Sequence, residues 1–240
     1  MVYDFSVSIA DNISAVQARI AGAAARARRN PAEISLMAVT KTQSPELIRQ
    51  AYDAGLRLFG ENRVQEFQAK AETLRDLKNA EWRMIGHLQS NKAARAAELF
   101  SAIDSVDSLR LAEKLNSAAA DLGKKLSVLI EINLGGESAK TGLAAESNDL
   151  QQLLSAAAHL PNLEFRGFMT VPPLVEDPQL ARPFFKTLRE LRDQIAARGF
   201  PGISTQILSM GMSHDFEVAI EEGSTCVRVG AAIFGERNKL

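Results

Sequence analysis

The chain has 240 residues, a net charge of −1 and 46% hydrophobic residues. This composition is typical of a globular protein, and the near-neutral charge excludes the broad basic surface that attracts nucleic acid or anionic membranes. The single cysteine, Cys226, excludes an internal disulfide and favours a reducing compartment. No apolar run reaches the roughly 20 residues of a membrane span, and the amino end lacks a signal-peptide pattern. We therefore expect a cytoplasmic protein.

Short apolar segments alternate with helical patterns along the whole chain. The predicted strands span residues 34–40, 56–60, 82–86, 100–106, 126–133, 163–170, 204–210 and 225–230. The predicted helices cover residues 8–29, a segment capped at Ser44, a segment through 63–67, then 91–98, 109–121, 177–199 and a short stretch after 215. Each return from strand to strand takes about 20–40 residues, which predicts parallel pairing through right-handed crossovers.

Eight such units in one chain predict an α/β fold, a single (β/α)8 TIM barrel with an extra N-terminal helix. We expect this barrel to occupy residues 1–240 as one domain. An open doubly wound sheet is the alternative, but that fold usually carries a glycine-rich turn after its first strand. The corresponding turn here, at residues 40–43, contains no glycine.

Polar residues follow each predicted strand, at the end of a barrel where active sites collect. Lys41 follows the first strand, and a lysine amine in a partly apolar pocket can form a Schiff base with an aldehyde. Taken alone, Lys41 is more often an ordinary surface lysine. The loops after the last two strands, at residues 209–213 and 230–231, are rich in the glycine and serine that bind phosphate, or they are simply tight turns.

Alternation along the last strand predicts that Cys226 and Arg228 point into the barrel. A buried arginine needs a partner, which is either a ligand ring nitrogen or an acidic side chain. Cys226 is expected to be a small core residue. The three histidines, His87, His159 and His214, lack metal-ligand spacing, so we predict no metal site. His87 either lines the pocket or is structural.

Five sequence motifs together resemble those of the pyridoxal phosphate homeostasis proteins. They are residues 38–41 (AVTK), 59–66 (FGENRVQE), 85–92 (IGHLQSNK), 208–213 (LSMGMS) and 223–235 (GSTCVRVGAAIFG). The resemblance extends from about residue 8 to residue 236. It implies an alanine-racemase-like, fold type III barrel with pyridoxal 5′-phosphate bound covalently to Lys41.

The same resemblance implies the other cofactor-binding residues. Ser209, Ser213, Gly230 and Ala231 would hold the phosphate, Arg228 would face the pyridine nitrogen, and Asn62 would lie beside the ring. Ala231 stands where the family often has threonine or serine, and Arg83 where a histidine is common. No catalytic residue and no metal ligand is implied.

The family resemblance implies a carrier that takes part in vitamin B6 homeostasis and delivers the cofactor to apo-enzymes, without an established reaction. A racemase-like enzyme is the alternative, and it needs a second base. The two tyrosines, Tyr3 and Tyr52, are expected to lie far from the strand ends, and the barrel leaves no residues for a second domain. We therefore expect a non-catalytic monomer. A third hypothesis is a Schiff-base aldolase that needs no cofactor.

Overall fold

Parallel strands close into a barrel in the computed structural model, which describes residues 8–135 and 141–235. The strands are β1 (Ser35–Val39), β2 (Leu58–Glu61), β3 (Glu81–Met84), β4 (Ala102–Val106), β5 (Leu126–Asn133), β6 (Leu143–Ala144), β7 (Leu163–Met169), β8 (Ile203–Met212) and β9 (Cys226–Val229). Their order is β4-β3-β2-β1-β9-β8-β7-β5, and the β4–β5 pairing closes the ring of eight. The predicted (β/α)8 fold is therefore confirmed.

All eight predicted strands are present, with ends shifted by up to about two residues. The short β6 was not predicted; its two residues pair with the end of β5 outside the ring. Parallel pairing gathers the carboxyl ends of the ring strands at one face, and Met37 of β1 lies beside Arg228 of β9. This face is where the predicted site residues meet.

Helices separate the strands, as predicted. They are α1 (Ile9–Arg26), α2 (Pro45–Asp53), α3 (Val64–Ala71), α4 (Ala93–Leu99), α5 (Leu109–Asp121), α6 (Asn148–Ala156), α7 (Arg182–Arg198), α8 (Phe216–Glu221) and α9 (Ala231–Phe234). Short 3₁₀ turns cover Pro31–Glu33, Ser90–Lys92, Ala157–His159 and Pro178–Ala181.

Local side-chain chemistry explains where these helices begin and end. Ser44 and Ser108 cap α2 and α5, because their hydroxyls accept hydrogen bonds from backbone N–H groups three residues later. Ser90 directly precedes the predicted helix 91–98, a position that suggests a cap, but it begins a 3₁₀ turn ahead of α4 and caps no helix. The first helix also stops short of residue 29, because Arg28 adopts a left-handed conformation with φ of 55°.

The N-terminal helix α1 packs on the outside of the barrel against α2, α8 and α9. Its apolar face buries Ile13 and Val16, which are each 2% exposed, in one core cluster with Phe216 and Ile220 of α8. A second, larger cluster joins the remaining helices to the strands. Among the described residues, no helix is long and apolar enough to cross a membrane. The assignment of residues 1–240 to one domain stays a prediction.

Candidate functional site

A cavity of about 350 Å³ opens at the carboxyl ends of the strands. It brings together six of the seven predicted site residues, namely Lys41, Asn62, Ser213, Arg228, Gly230 and Ala231. Apolar side chains form much of the remaining wall: Val39, Ile85, Val171, Leu174 and Met212. An apolar cleft of this size with a few convergent polar groups is typical of a small-molecule site.

Lys41 enters the cavity from the first turn after β1. The residue is half-buried, and the apolar residues Val39 and Ile85 line the same cavity. A lysine amine in a partly apolar cavity is a group that can react with a carbonyl group.

Arg228 forms the inner end of the cavity and is only 3% exposed. Its guanidinium donates to the Ser209 hydroxyl and to the Thr170 carbonyl oxygen, each at 2.8 Å. Burial lowers the pKa of Arg228, although nearby ionisable groups such as Asp104 oppose the shift. Within the described segments no carboxylate lies within 4 Å of it, so its side chain is fixed by neutral groups and keeps its charge for a ligand.

Hydrogen-bond donors converge on the Ser213 hydroxyl at the side of the cavity. Ser213 Oγ accepts from the backbone N–H groups of Gly230, at 3.2 Å, and Ala232, at 3.3 Å. Two backbone amides thus meet at one hydroxyl, and amide and hydroxyl groups gathered in this way can donate to an anionic group. Ala231 lies between those two amides and also lines the cavity.

The turn that carries Ser213 depends on a glycine. Gly211 has φ of +92°, and a Cβ atom there would lie 2.5 Å from the Ala219 Cβ and 2.9 Å from the Phe216 Cα. Only a residue without a side chain lets the end of β8 pack this closely on α8. This close packing sets the position of the 212–215 turn at the cavity.

Ser209 is the predicted site residue that does not line the cavity. It is fully buried, and its hydroxyl accepts the hydrogen bond from Arg228. Its predicted contact with phosphate stays a prediction, and the contact observed here is with the arginine.

Asn62 reaches the cavity because two strand ends approach each other closely. A Cβ atom at Gly86 would lie 2.4 Å from the Asn62 carbonyl oxygen, so glycine is required after β3. Gly86 belongs to the motif at residues 85–92, and its close approach to Asn62 is a tertiary contact that the motif alone does not reveal.

Three polar cavity residues were not predicted, namely Gln43, His214 and Asp215. Asp215 is buried and accepts a 2.6 Å hydrogen bond from the Met212 N–H. Burial raises the pKa of Asp215, while this bond and Arg228 oppose the rise. His214 Nε2 lies 2.9 Å from the Glu176 carbonyl oxygen. His214 and Asp215 directly follow the 209–213 loop, and that position is their signal in the sequence.

Two polar residues of unassigned role lie outside the cavity. His87 pairs with Asp107 at 3.0 Å on the surface, and it does not line the cavity. Arg83 lies in the barrel interior and pairs with Asp104 at 2.7 Å. Across the described part of the chain, no cluster of three or more His, Cys, Asp and Glu side chains is placed to hold a metal ion.

Comparisons with known proteins show which family this chain belongs to. Residues 11–238 match the family model described as "Alanine racemase, N-terminal domain". The crystallographic alanine racemase of Corynebacterium glutamicum has a TM-score of 0.70 at 19% identity, covering 95% of this chain and 61% of the racemase chain. At this identity the likeness shows the fold alone.

Much closer relatives carry a different name. The chain is 44% identical over 227 residues to the pyridoxal phosphate homeostasis protein of Aquifex aeolicus, covering 95% of this chain and 97% of that protein. The corresponding protein of Escherichia coli K12 is 41% identical, with 96% and 97% covered. The structure of PipY from Synechococcus elongatus, with PLP bound, has a TM-score of 0.84 at 35% identity, covering 95% and 100%. This chain therefore belongs to the pyridoxal phosphate homeostasis protein family.

Proposed function

We propose that this chain binds pyridoxal 5′-phosphate in the cavity, holds it covalently through Lys41, and takes part in intracellular homeostasis and delivery of that cofactor. The observation that carries the proposal is the convergence of Lys41, Arg228 and Ser213 on one apolar cavity of about 350 Å³. Such a volume falls within the range of about 300–1,000 Å³ that small-molecule sites occupy. Family membership and the PLP-bound structure of PipY support the choice of ligand.

The residues in the cavity fit the chemical groups of this cofactor. When bound, pyridoxal phosphate supplies an aldehyde carbon that reacts with amines. The Lys41 amine is the nucleophile available to that aldehyde, and Asn62 would lie beside the ring. Ser213, Gly230 and Ala231 would bind the phosphate through the donors that now meet at the Ser213 hydroxyl, and we keep Ser209 in this group as a prediction.

Arg228 favours a carrier over an enzyme. A guanidinium has no acceptor and stays charged, so opposite the pyridine nitrogen it would keep that nitrogen unprotonated. An unprotonated ring withdraws electrons more weakly, which disfavours breaking a Cα–H bond. Ser209 and Thr170 hold the guanidinium in place and leave it little freedom to move.

The alternative is a racemase-like enzyme that uses the same cofactor. It requires a second base. Tyr52 instead donates to the Lys78 carbonyl oxygen, away from the cavity, and Tyr3 lies outside the described residues. The cavity residues His214 and Asp215 are each already hydrogen-bonded to a main-chain group. The carrier is therefore the proposal that we prefer. The proposal includes a monomer in the cytoplasm, which rests on the composition and on the residues that the barrel uses. It also includes recipient apo-enzymes, which rest on the family resemblance.

The first experiment is an absorption spectrum from about 300 to 500 nm of the purified protein with added pyridoxal phosphate. We expect a band near about 420 nm, typical of the cofactor joined to a lysine. The band should be lost in Lys41→Ala and kept in Lys114→Ala, which removes an exposed lysine of α5. Absence of the band in wild type would refute the carrier and favour the aldolase. Formation of D-alanine from L-alanine by the loaded protein would favour the racemase-like enzyme.

A further inference from the structure

A buried lysine outside the cavity contacts the segment that carries Lys41. Lys70 lies on α3 and is 7% exposed. Its ammonium donates to the Thr40 carbonyl oxygen at 2.9 Å and to the Gln43 carbonyl oxygen at 3.4 Å. These two carbonyls bracket Lys41, and both Lys41 and Gln43 line the cavity. Lys70 therefore joins both ends of the cavity segment, which we define as residues 40–43, to one helix.

Two carboxylates complete this contact. Glu61 Oε1, which is fully buried, lies 2.9 Å from the Lys70 ammonium, and Glu66 Oε1 lies 3.2 Å from it. Each carboxylate also binds the cavity segment directly. Glu61 accepts a 2.6 Å hydrogen bond from the Thr40 hydroxyl, and Glu66 accepts from the Thr42 N–H. Backbone and side-chain groups of the segment thus form hydrogen bonds with one ionic cluster, which consists of Lys70, Glu61 and Glu66.

The backbone of the cavity segment needs such restraint. Thr42 has φ of +63°, in the left-handed region. For a β-branched residue this conformation is an outlier that persists only where the surroundings impose it. The contact from Glu66 to the Thr42 N–H, together with the Lys70 contacts on either side, supplies that restraint.

Packing alone does not explain a charged residue at this position. A buried ammonium carries a desolvation cost that a methionine of similar length would not have. An ammonium has three N–H donors, so it can bind main-chain carbonyls and carboxylates in different directions, which a methionine cannot do. Those acceptors belong to the cavity segment and to the helix and strand that flank it.

We propose that Lys70 is a positioning residue, which fixes the cavity segment so that the Lys41 amine points into the cavity. The inference rests on the proposed function, because it concerns how firmly Lys41 holds its aldehyde ligand. Loss of the Lys70 contacts frees the segment to leave its strained conformation. The ligand is then held more weakly and released faster.

The test compares two variants with a matched control. Lys70→Met removes the ammonium, and the double variant Glu61→Gln/Lys70→Met also removes the carboxylate that would otherwise stay buried without its cation. The control is Lys124→Met, which removes a half-buried lysine whose ammonium donates to the Phe100 carbonyl oxygen at 3.3 Å, away from the cavity. Thermal unfolding first establishes which variants fold.

The first readout is the release of pyridoxal phosphate from loaded protein into excess hydroxylamine, followed by absorbance. We expect release at least about tenfold faster in both Lys70 variants, the change that follows from losing one charge-assisted hydrogen bond. Lys124→Met should match wild type. Release rates equal to wild type in a folded Lys70 variant would overturn the inference. Unfolding of both variants would overturn it as well, because Lys70 would then serve the whole fold.

The second readout needs no cofactor. Lys41 is labelled with trace acetic anhydride in the unloaded protein, and its rate is compared by mass spectrometry with that of exposed Lys114. We expect the Lys41 rate in the Lys70 variants to move toward the Lys114 rate, and an unchanged Lys41 rate would contradict the inference. If wild type failed to bind pyridoxal phosphate, the proposed function would fall, and this labelling would still decide the role of Lys70.

Discussion

Asp104 and Arg83 form an ion pair in the interior of the barrel, beneath the cavity. Asp104 Oδ1 accepts two hydrogen bonds from the Arg83 guanidinium, from Nε at 3.0 Å and from Nη2 at 2.7 Å. Asp104 is fully buried, and Arg83 is 8% exposed. The two residues lie on the neighbouring strands β3 and β4, so the pair joins them across the ring interior.

Breaking this pair should destabilise the barrel. Asp104→Asn leaves the buried guanidinium without its counter-ion, and we expect a loss of about 3 kcal/mol in the free energy of unfolding. Replacing both residues, with Arg83→Met and Asp104→Leu, removes the charges together and should cost much less. Urea unfolding measures both values. A loss in the double variant as large as in the single variant would contradict this expectation, because an unpaired buried charge would then not be the cause of the loss.

Gly86 should be intolerant of a side chain although it does not line the cavity. In Gly86→Ala the new Cβ would meet the Asn62 carbonyl oxygen at 2.4 Å, so the Asn62 main chain must move. We expect a loss of about 1–3 kcal/mol in the free energy of unfolding, as in other overpacked sites. Pyridoxal phosphate binding, measured by titration, should weaken as well, because Asn62 would be displaced.

The matched control for that variant is Gly22→Ala in helix α1. A Cβ atom there has only the Arg26 Nη1 nearby, at 3.7 Å. Alanine should therefore stabilise the helix by about 0.5–1 kcal/mol. Both substitutions replace glycine by alanine. If they change the free energy of unfolding in opposite directions, the loss in Gly86→Ala comes from the close contact with Asn62. A stabilised Gly86→Ala protein would refute the explanation.

The fold could be predicted from the sequence because each strand and helix carries its own local pattern. The run at 126–133 predicted β5 to the residue, and alternation correctly placed Arg228 in the barrel interior. Serine caps could be predicted only in part, since Ser90 and Ser108 each precede a predicted helix directly and only Ser108 caps one. The local pattern describes neighbours along the chain, and a cap also depends on the backbone angle that tertiary packing imposes.

The candidate site could be predicted only where a motif pointed to it. The motifs contain Lys41, Ser213 and Gly230, and all three line the cavity in the structure. Lys70 had no such signal, because it contacts the Thr40 carbonyl across 30 residues and looks like any charged position of an amphipathic helix. Contacts of this kind depend on how α3 packs against the end of β1, which the local sequence does not encode.

An ion-pair cluster on the outside of the barrel should make the protein acid-sensitive. Glu221 of α8 accepts hydrogen bonds from Arg182 of α7 and from Arg26 of α1. These bonds, first that of Arg182 and then that of Arg26, hold the pKa of Glu221 below its usual range. A carboxylate with a lowered folded pKa stabilises the protein above its unfolded pKa of about 4.3, and this contribution is lost as the pH falls through the folded value.

We therefore expect Glu221→Gln to lower the melting temperature at pH 7 and to differ less from wild type near pH 3. Differential scanning fluorimetry between pH 3 and pH 7 measures the difference in melting temperature between the variant and wild type. Glu190→Gln is the control, because Glu190 makes a long 3.8 Å pair with Lys186 on the same helix, α7, and both side chains are more than half exposed. If the difference in melting temperature between Glu221→Gln and wild type stayed constant with pH, the ionised Glu221 carboxylate would not be the source of the acid sensitivity.

Cys226 should be almost unreactive in the folded protein. It is 4% exposed, and burial raises the pKa of its thiol to about 11, although Arg83 opposes the rise. At pH 8, iodoacetamide should label it at least about 100-fold more slowly in native protein than in urea, where the pKa is near 8.5.

The same thiol should affect stability at high pH. Since the thiol of Cys226 ionises at lower pH in the unfolded chain than in the folded protein, the free energy of unfolding should fall between pH 8.5 and about 11. Cys226→Ala removes this contribution, so a fall equally steep in that variant would exclude the thiol as its cause.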